Sequence, residues 1–144
     1  MASNIQINAD LTTFELNGTI INDFAVGDYL TLTSVNPLTS RTNSVSGGVS
    51  INKRTDGGVA DLVFRVQKYS DSDIFMNTVI NQESPTILNG SMVENFVKDG
   101  TASKESHTLE GGSITTKPVI TKNNLDGSDL MEYSVQFRDA VRNV

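Results

Sequence analysis

Few residues in this chain could do chemistry, and their neighbours deny them partners. His107 is the only histidine. General-base catalysis or a zinc site would need its imidazole held by a carboxylate and aimed at a nucleophile or a metal. It stands in a Ser/Thr-rich stretch without such a motif, so a structural or solvent-exposed role is expected. Asp71-Ser72-Asp73 opens like a calcium loop, but Phe75, Met76 and Asn77 follow where that loop needs a glycine and further ligands. Asp126 and Asp129 flank Gly127 in a turn-rich run, with nothing nearby to drive their pKa values apart as acid/base work requires. The glycine pairs 47–48, 57–58 and 111–112 neither precede a helix nor carry the Lys-Ser/Thr of a phosphate loop. Bulges or close backbone approaches account for them better. No catalytic residue, metal ligand or cofactor is expected, and the chain does not read as an enzyme.

Composition narrows the choice further. The 144 residues include no Cys, which removes disulfides, thiol catalysis and thiolate metal sites together. The length suits one domain over 1–144, able to bury roughly 70% of its unfolded surface. Trp is absent while Thr, Ser, Asn, Asp and Gly abound. That balance fits a thin-layered all-β domain, or a subunit whose burial is completed by neighbours. No run of about 18 apolar residues is present, so no membrane insertion is expected. The N-terminus has neither a basic nor an apolar leader segment. A soluble protein made in a cytoplasm is expected, with the sequons at Asn17 and Asn89 read as chance matches. A net charge of −6 argues against a nucleic-acid clamp. Asp10, Glu15, Asp23 and Asp28 stand in the first 30 residues without one Lys or Arg. This is either an ordinary solubilising surface or one built to repel phosphate.

The elements that would position these residues are mostly strands. Residues 11–17 place Thr12, Phe14 and Leu16 on one face, and Asn17-Gly18 turns the chain. A loop over 23–28 leads to a strand over 29–34, where Leu30 and Leu32 oppose Tyr29, Thr31 and Thr33. The polar run 34–45 reads as an exposed arm. Residues 45–51 alternate again, with Val45, Val49 and Ile51 on one side. Asp56-Gly57 offers the positive φ of a tight hairpin. A long strand over 59–69 sets Leu62, Phe64 and Val66 against Asp61, Val63, Arg65 and Gln67. One helix is expected after Ser70, its N-cap, with Asp73 in the manner of a capping box and Phe75, Met76, Val79 and Ile80 as its packing stripe. Strands are expected over 87–98, weakened by Gly90, and over 107–120, kinked at Gly111-Gly112, with a turn at Asp99-Gly100. After a turn over 123–129, Met131, Tyr133, Val135 and Phe137 alternate with Glu132, Ser134, Gln136 and Arg138.

Several of these runs carry a family resemblance. Gly-Gly-Val-Ser-Ile-Asn-Lys-Arg (47–54) and Ala-Asp-Leu-Val-Phe-Arg-Val-Gln-Lys-Tyr-Ser-Asp-Ser-Asp-Ile-Phe-Met-Asn (60–77) resemble the strand–turn–strand–helix core of tail tube proteins of contractile-tailed bacteriophages. Gly-Ser-Met-Val-Glu-Asn-Phe-Val-Lys-Asp-Gly (90–100), Leu-Glu-Gly-Gly-Ser-Ile-Thr-Thr-Lys-Pro (109–118) and Met-Glu-Tyr-Ser-Val-Gln-Phe (131–137) look like later parts of the same family. The resemblance implies a mainly β fold, two packed antiparallel sheets in a sandwich or barrel-like arrangement with one flanking α-helix. It implies hexameric rings stacked helically into a hollow tube inside a tail sheath protein. The lumen would hold a tape-measure protein and later pass double-stranded DNA without specific binding. The place would be the virion tail, assembled in the bacterial host cytoplasm, and related tubes occur in type VI secretion systems and contractile bacteriocins. The family brings no catalytic residue and no cofactor.

On that reading, antiparallel edges that would invite aggregation are paired by sister copies. The stretch 36–58 is long for one connection and acts as an inter-subunit or inter-ring arm through Asn36, Pro37, Leu38, Arg41, Val45, Lys53 and Arg54. DNA carries one charge per roughly 1.7 Å of axis, so a like-charged wall lets it slide. Asp61, Glu94, Glu110 and Glu132 are the candidates for that wall, although Arg65 and Arg138 share strand faces with two of them. The competing readings are a monomeric β-sandwich binding module, disfavoured by the lack of aromatic platforms, and a related secretion-tube or tube-terminator protein.

Overall fold

A computed structural model describes residues 2–122, 124 and 130–144. The turn expected over 123–129, with Asp126 and Asp129, lies outside these residues apart from Asn124. The strands are β1 (Ile5–Leu16), β2 (Thr19–Ile21), β3 (Leu30–Ser34), β4 (Thr39–Asn43), β5 (Val49–Lys53), β6 (Ala60–Gln67), β7 (Leu88–Lys98), β8 (Thr101–Gly112), β9 (Leu130–Phe137) and β10 (Asp139–Asn143). The helix α1 (Asp71–Ile80) lies between β6 and β7. A five-stranded antiparallel sheet runs β10-β8-β7-β1-β2, a three-stranded one runs β3-β6-β9, and β4 pairs with β5 alone. The fold is therefore mainly β with packed antiparallel sheets and one helix, as expected.

Alternation of apolar and polar side chains builds the interior. Leu62, Phe64 and Val66 of β6 and Tyr133, Val135 and Phe137 of β9 face Phe14, Leu16, Ile21, Leu88 and Leu109 of the larger sheet, all buried. Rings of Phe14, Phe64 and Tyr133 follow one another at centroid distances of 5.4 and 5.8 Å, tilted as aromatic quadrupoles prefer. The helix closes one end of this interior. Ser70 accepts from the Asp73 backbone N–H at 3.4 Å, and the Asp73 carboxylate accepts from the Tyr69 N–H at 2.9 Å. Met76 and Val79 are buried and Phe75 and Ile80 half-buried, so the expected packing stripe faces the core. Among the described residues, no helix is long and apolar enough to cross a membrane.

Two hairpin turns have the chemistry their sequences announce. Asn17 and Gly18 (φ 49° and 80°) and Asp99 and Gly100 (φ 49° and 79°) place both central residues in the left-handed region. The sequon asparagines are occupied: Asn17 donates to the Ile87 carbonyl and accepts from the Asn89 N–H, while Asn89 accepts from the Gly111 N–H. Gly90 belongs inside β7 because a Cβ there would stand 2.2 Å from the Glu15 carbonyl oxygen.

Several expectations are corrected. The polar run 34–45 is not bare arm: β4 pairs with β5, and the hairpin closes over Ser44 to Gly48, with Gly47 at φ 89°. Val45 consequently sits in the turn rather than in a strand. Asp56-Gly57 makes a turn without positive φ that joins strands of different sheets. β8 starts at Thr101 and ends at Gly112, because the tight turn at 99–100 pairs the polar residues 101–105 with β7 at once. Beyond it, among the described residues up to β9, Ser113 alone bridges, to Gln136. Finally, Arg138 turns the chain from the small sheet into β10 of the large one, a strand too short to announce itself by alternation.

Candidate assembly surfaces

Backbone groups left unpaired are the first candidate surface. β2 pairs only with 14–16 of β1, and β10 only with 106–110 of β8. The larger sheet is thus open along β2 and along most of β10, where the Ala140 N–H alone is met, by the Gly58 carbonyl at 3.1 Å. Five alternating strands make β10 and β2 run in the same direction. Ile20 and Val141 on these edges are exposed, as are Ile5 and Ile7 on β1. Arg142 fastens β10 by donating to Glu105 at 2.7 Å, and His107 Nε2 lies 2.8 Å from the same carboxyl group. Arg142 first, and His107 second, hold the Glu105 carboxyl below the usual range. The lone histidine is therefore a neighbour of a strand clamp.

The second surface is the β4–β5 ribbon, every residue of which is exposed. Its register puts Arg41 opposite Ile51, Asn43 opposite Val49 and Thr39 opposite Lys53, which makes one aliphatic and basic face. Ser40, Thr42, Ser50 and Asn52 form the other. An isolated two-stranded ribbon is marginal in water, and Leu38 and Val45 add two more exposed apolar side chains. Arg54 grips Asp56 through two bonds of 2.9 and 3.0 Å, and Asn36 donates to the Asp56 carbonyl at 3.2 Å. The ion pair holds the Asp56 carboxyl low and the Arg54 guanidinium high. Of the expected arm residues, then, Asn36 and Arg54 build the root, while Pro37, Leu38, Arg41, Val45 and Lys53 face solvent.

The third is a groove of about 330 Å³ beside β3, lined by Thr12, Gly27, Asp28, Tyr29, Leu30, Leu32, Met92, Glu94 and His107. Sequence reasoning missed it. It arises because the outer side of β3 carries no strand and the large sheet runs on beneath it.

The four carboxylates expected on one wall lie in three places. Asp61 and Glu132 are on the outer face of the small sheet, where Gln136 donates to Asp61 at 3.0 Å and Arg65 stands opposite Glu132. Glu94 lines the groove. Glu110 is exposed beside Arg138 at 3.3 Å. Among the described residues, no three His, Asp or Glu side chains gather as a metal site would need.

No family model matches the sequence, and neither does any curated protein. Solved structures do match. The chain is similar to one in the cryo-EM structure of an extracellular contractile injection system, the PVC sheath-tube complex in its extended state. The TM-score is 0.65 at 6% identity, covering 96% of this chain and 91% of that one. It also matches a chain of the anti-feeding prophage (AFP) baseplate, 6-fold symmetrised, with TM-score 0.48, 14% identity, and 92% and 90% coverage. The shared fold rests on the first of these.

Proposed function

We propose that this chain is the structural subunit of a tube in a contractile, tail-like assembly, with no catalytic role. The observation that carries the reading is the five-stranded sheet left open along β2 and along most of β10. A head-to-tail neighbour would add a parallel pair between β10 and β2, since both run the same way, whereas a two-fold dimer across one edge would add an antiparallel pair. Closure of such a ring pairs both sides of the large sheet, whereas a two-fold dimer pairs only one. The likeness in fold to a chain of a sheath-tube complex supports the same reading.

In that ring, the small sheet, the helix and the ribbon form the bulkier layer and belong outside, where circumference is larger. The opposite face of the large sheet, with Glu15 and Glu110, then borders the lumen. Asp61 and Glu132 would face outward, toward a sheath. Hexameric rings, helical stacking, a tape-measure protein in the channel and passage of double-stranded DNA in a phage tail complete the proposal.

Light scattering after size exclusion, with electron microscopy of the same fractions, tests it. Rings or tubes are expected. A folded monomer at every concentration would overturn the proposal in favour of a β-sandwich binding module.

A further inference from the structure

We propose that the groove beside β3 is the socket for the β4–β5 ribbon of a second copy of this chain. The inference rests on the tube reading and adds the contact that joins one ring to the next.

Charge and surface chemistry match. The groove presents Asp28 and Glu94 over Leu30, Leu32 and Met92. Neither carboxylate has a hydrogen-bond or ion-pair partner among the described residues. The ribbon presents Arg41 and Lys53 around Val49 and Ile51, and neither cation meets a carboxylate there. On a chain of net charge −6, the strands of the ribbon carry Arg41 and Lys53 and no acidic residue. The side chains of Val49 and Ile51 are about half exposed, at 48% and 59%, so a partner that covers them removes apolar surface from water.

Placement along the chain matters as much. The ribbon leaves β3 at its Ser34 end, while the groove opens at its Asp28–Leu30 end. Within one copy the two stay apart, since every residue of the ribbon's strands is exposed. They generate a head-to-tail series instead, the geometry of an open stack.

A charge swap tests the pairing. Arg41→Glu with Lys53→Glu on the ribbon, or Asp28→Lys with Glu94→Lys in the groove, should each cut the mean polymer mass in sedimentation velocity at least tenfold. Rings should remain. Mixing the two variants at equal concentration, with groove and ribbon charges now complementary, should restore mixed polymers. Because the natural chain has no Cys, Leu32→Cys with Ile51→Cys should form an inter-subunit disulfide in the polymer that neither single variant forms. Groove variants that stack as the unchanged chain does, or a missing cross-link within intact polymers, would overturn the socket and leave the tube reading standing. An unchanged chain that stays monomeric at every concentration would overturn both.

Discussion

Tyr133 shows what one side chain does for the fold. Its ring lies in the core on β9, and its hydroxyl donates to the Asp73 carboxylate at the start of the helix. Burial first, and then the bond to Asp73, raises the phenol well above its ordinary value. The folded chain thus holds this proton more tightly than the unfolded one, whose tyrosines titrate near pH ~10. The linked stability is intact below that pH and is lost as pH rises beyond it. Tyr133→Phe should lower unfolding free energy in urea by about 1–2 kcal/mol at neutral pH. It should also remove part of the alkaline decline that the unchanged chain shows. An equal alkaline slope in both proteins would contradict the assignment. The position was legible in the sequence as one of an alternating quartet; the hydroxyl's partner was not, since it lies 60 residues away.

At the scale of elements, legibility followed the strength of local signals. Asn17-Gly18, Asp99-Gly100, Ser70 with Asp73, and the alternation of β6 and β9 each encode their geometry in adjacent residues, and the structure matches them. What failed was pairing decided elsewhere. β4 is a run of polar residues that becomes a strand only because β5 returns beside it, and β10 is defined by β8. The groove was illegible for the same reason, being made of four separate stretches of chain. The ribbon is attached through Arg54, Asp56 and Asn36 at its root and contributes nothing to the core. Replacing 38–54 with a short Gly/Ser turn should therefore leave a folded protein whose melting temperature changes little. That protein should form no long polymers in electron micrographs. Tubes of normal length would show the ribbon to be dispensable.

At the scale of the whole molecule, two kinds of contact should respond differently to salt. A seam between sheet edges consists of backbone hydrogen bonds, whereas the ribbon contact is rich in charge. Screening shortens the reach of exposed charges from about 10 Å at 0.1 M to about 3 Å at 1 M. Raising the salt should release rings from stacks before it divides rings into single chains, as sedimentation would show by accumulation of a ring-sized species. Direct conversion of polymer to single chains would count against separate contacts. The displacement of ribbon and groove to opposite ends of β3 has one last consequence. A finite column would finish in an unfilled acidic slot at one extremity and a bare basic tongue at the other. Two unlike stoppers would be needed to terminate it, and neither could do the other's job.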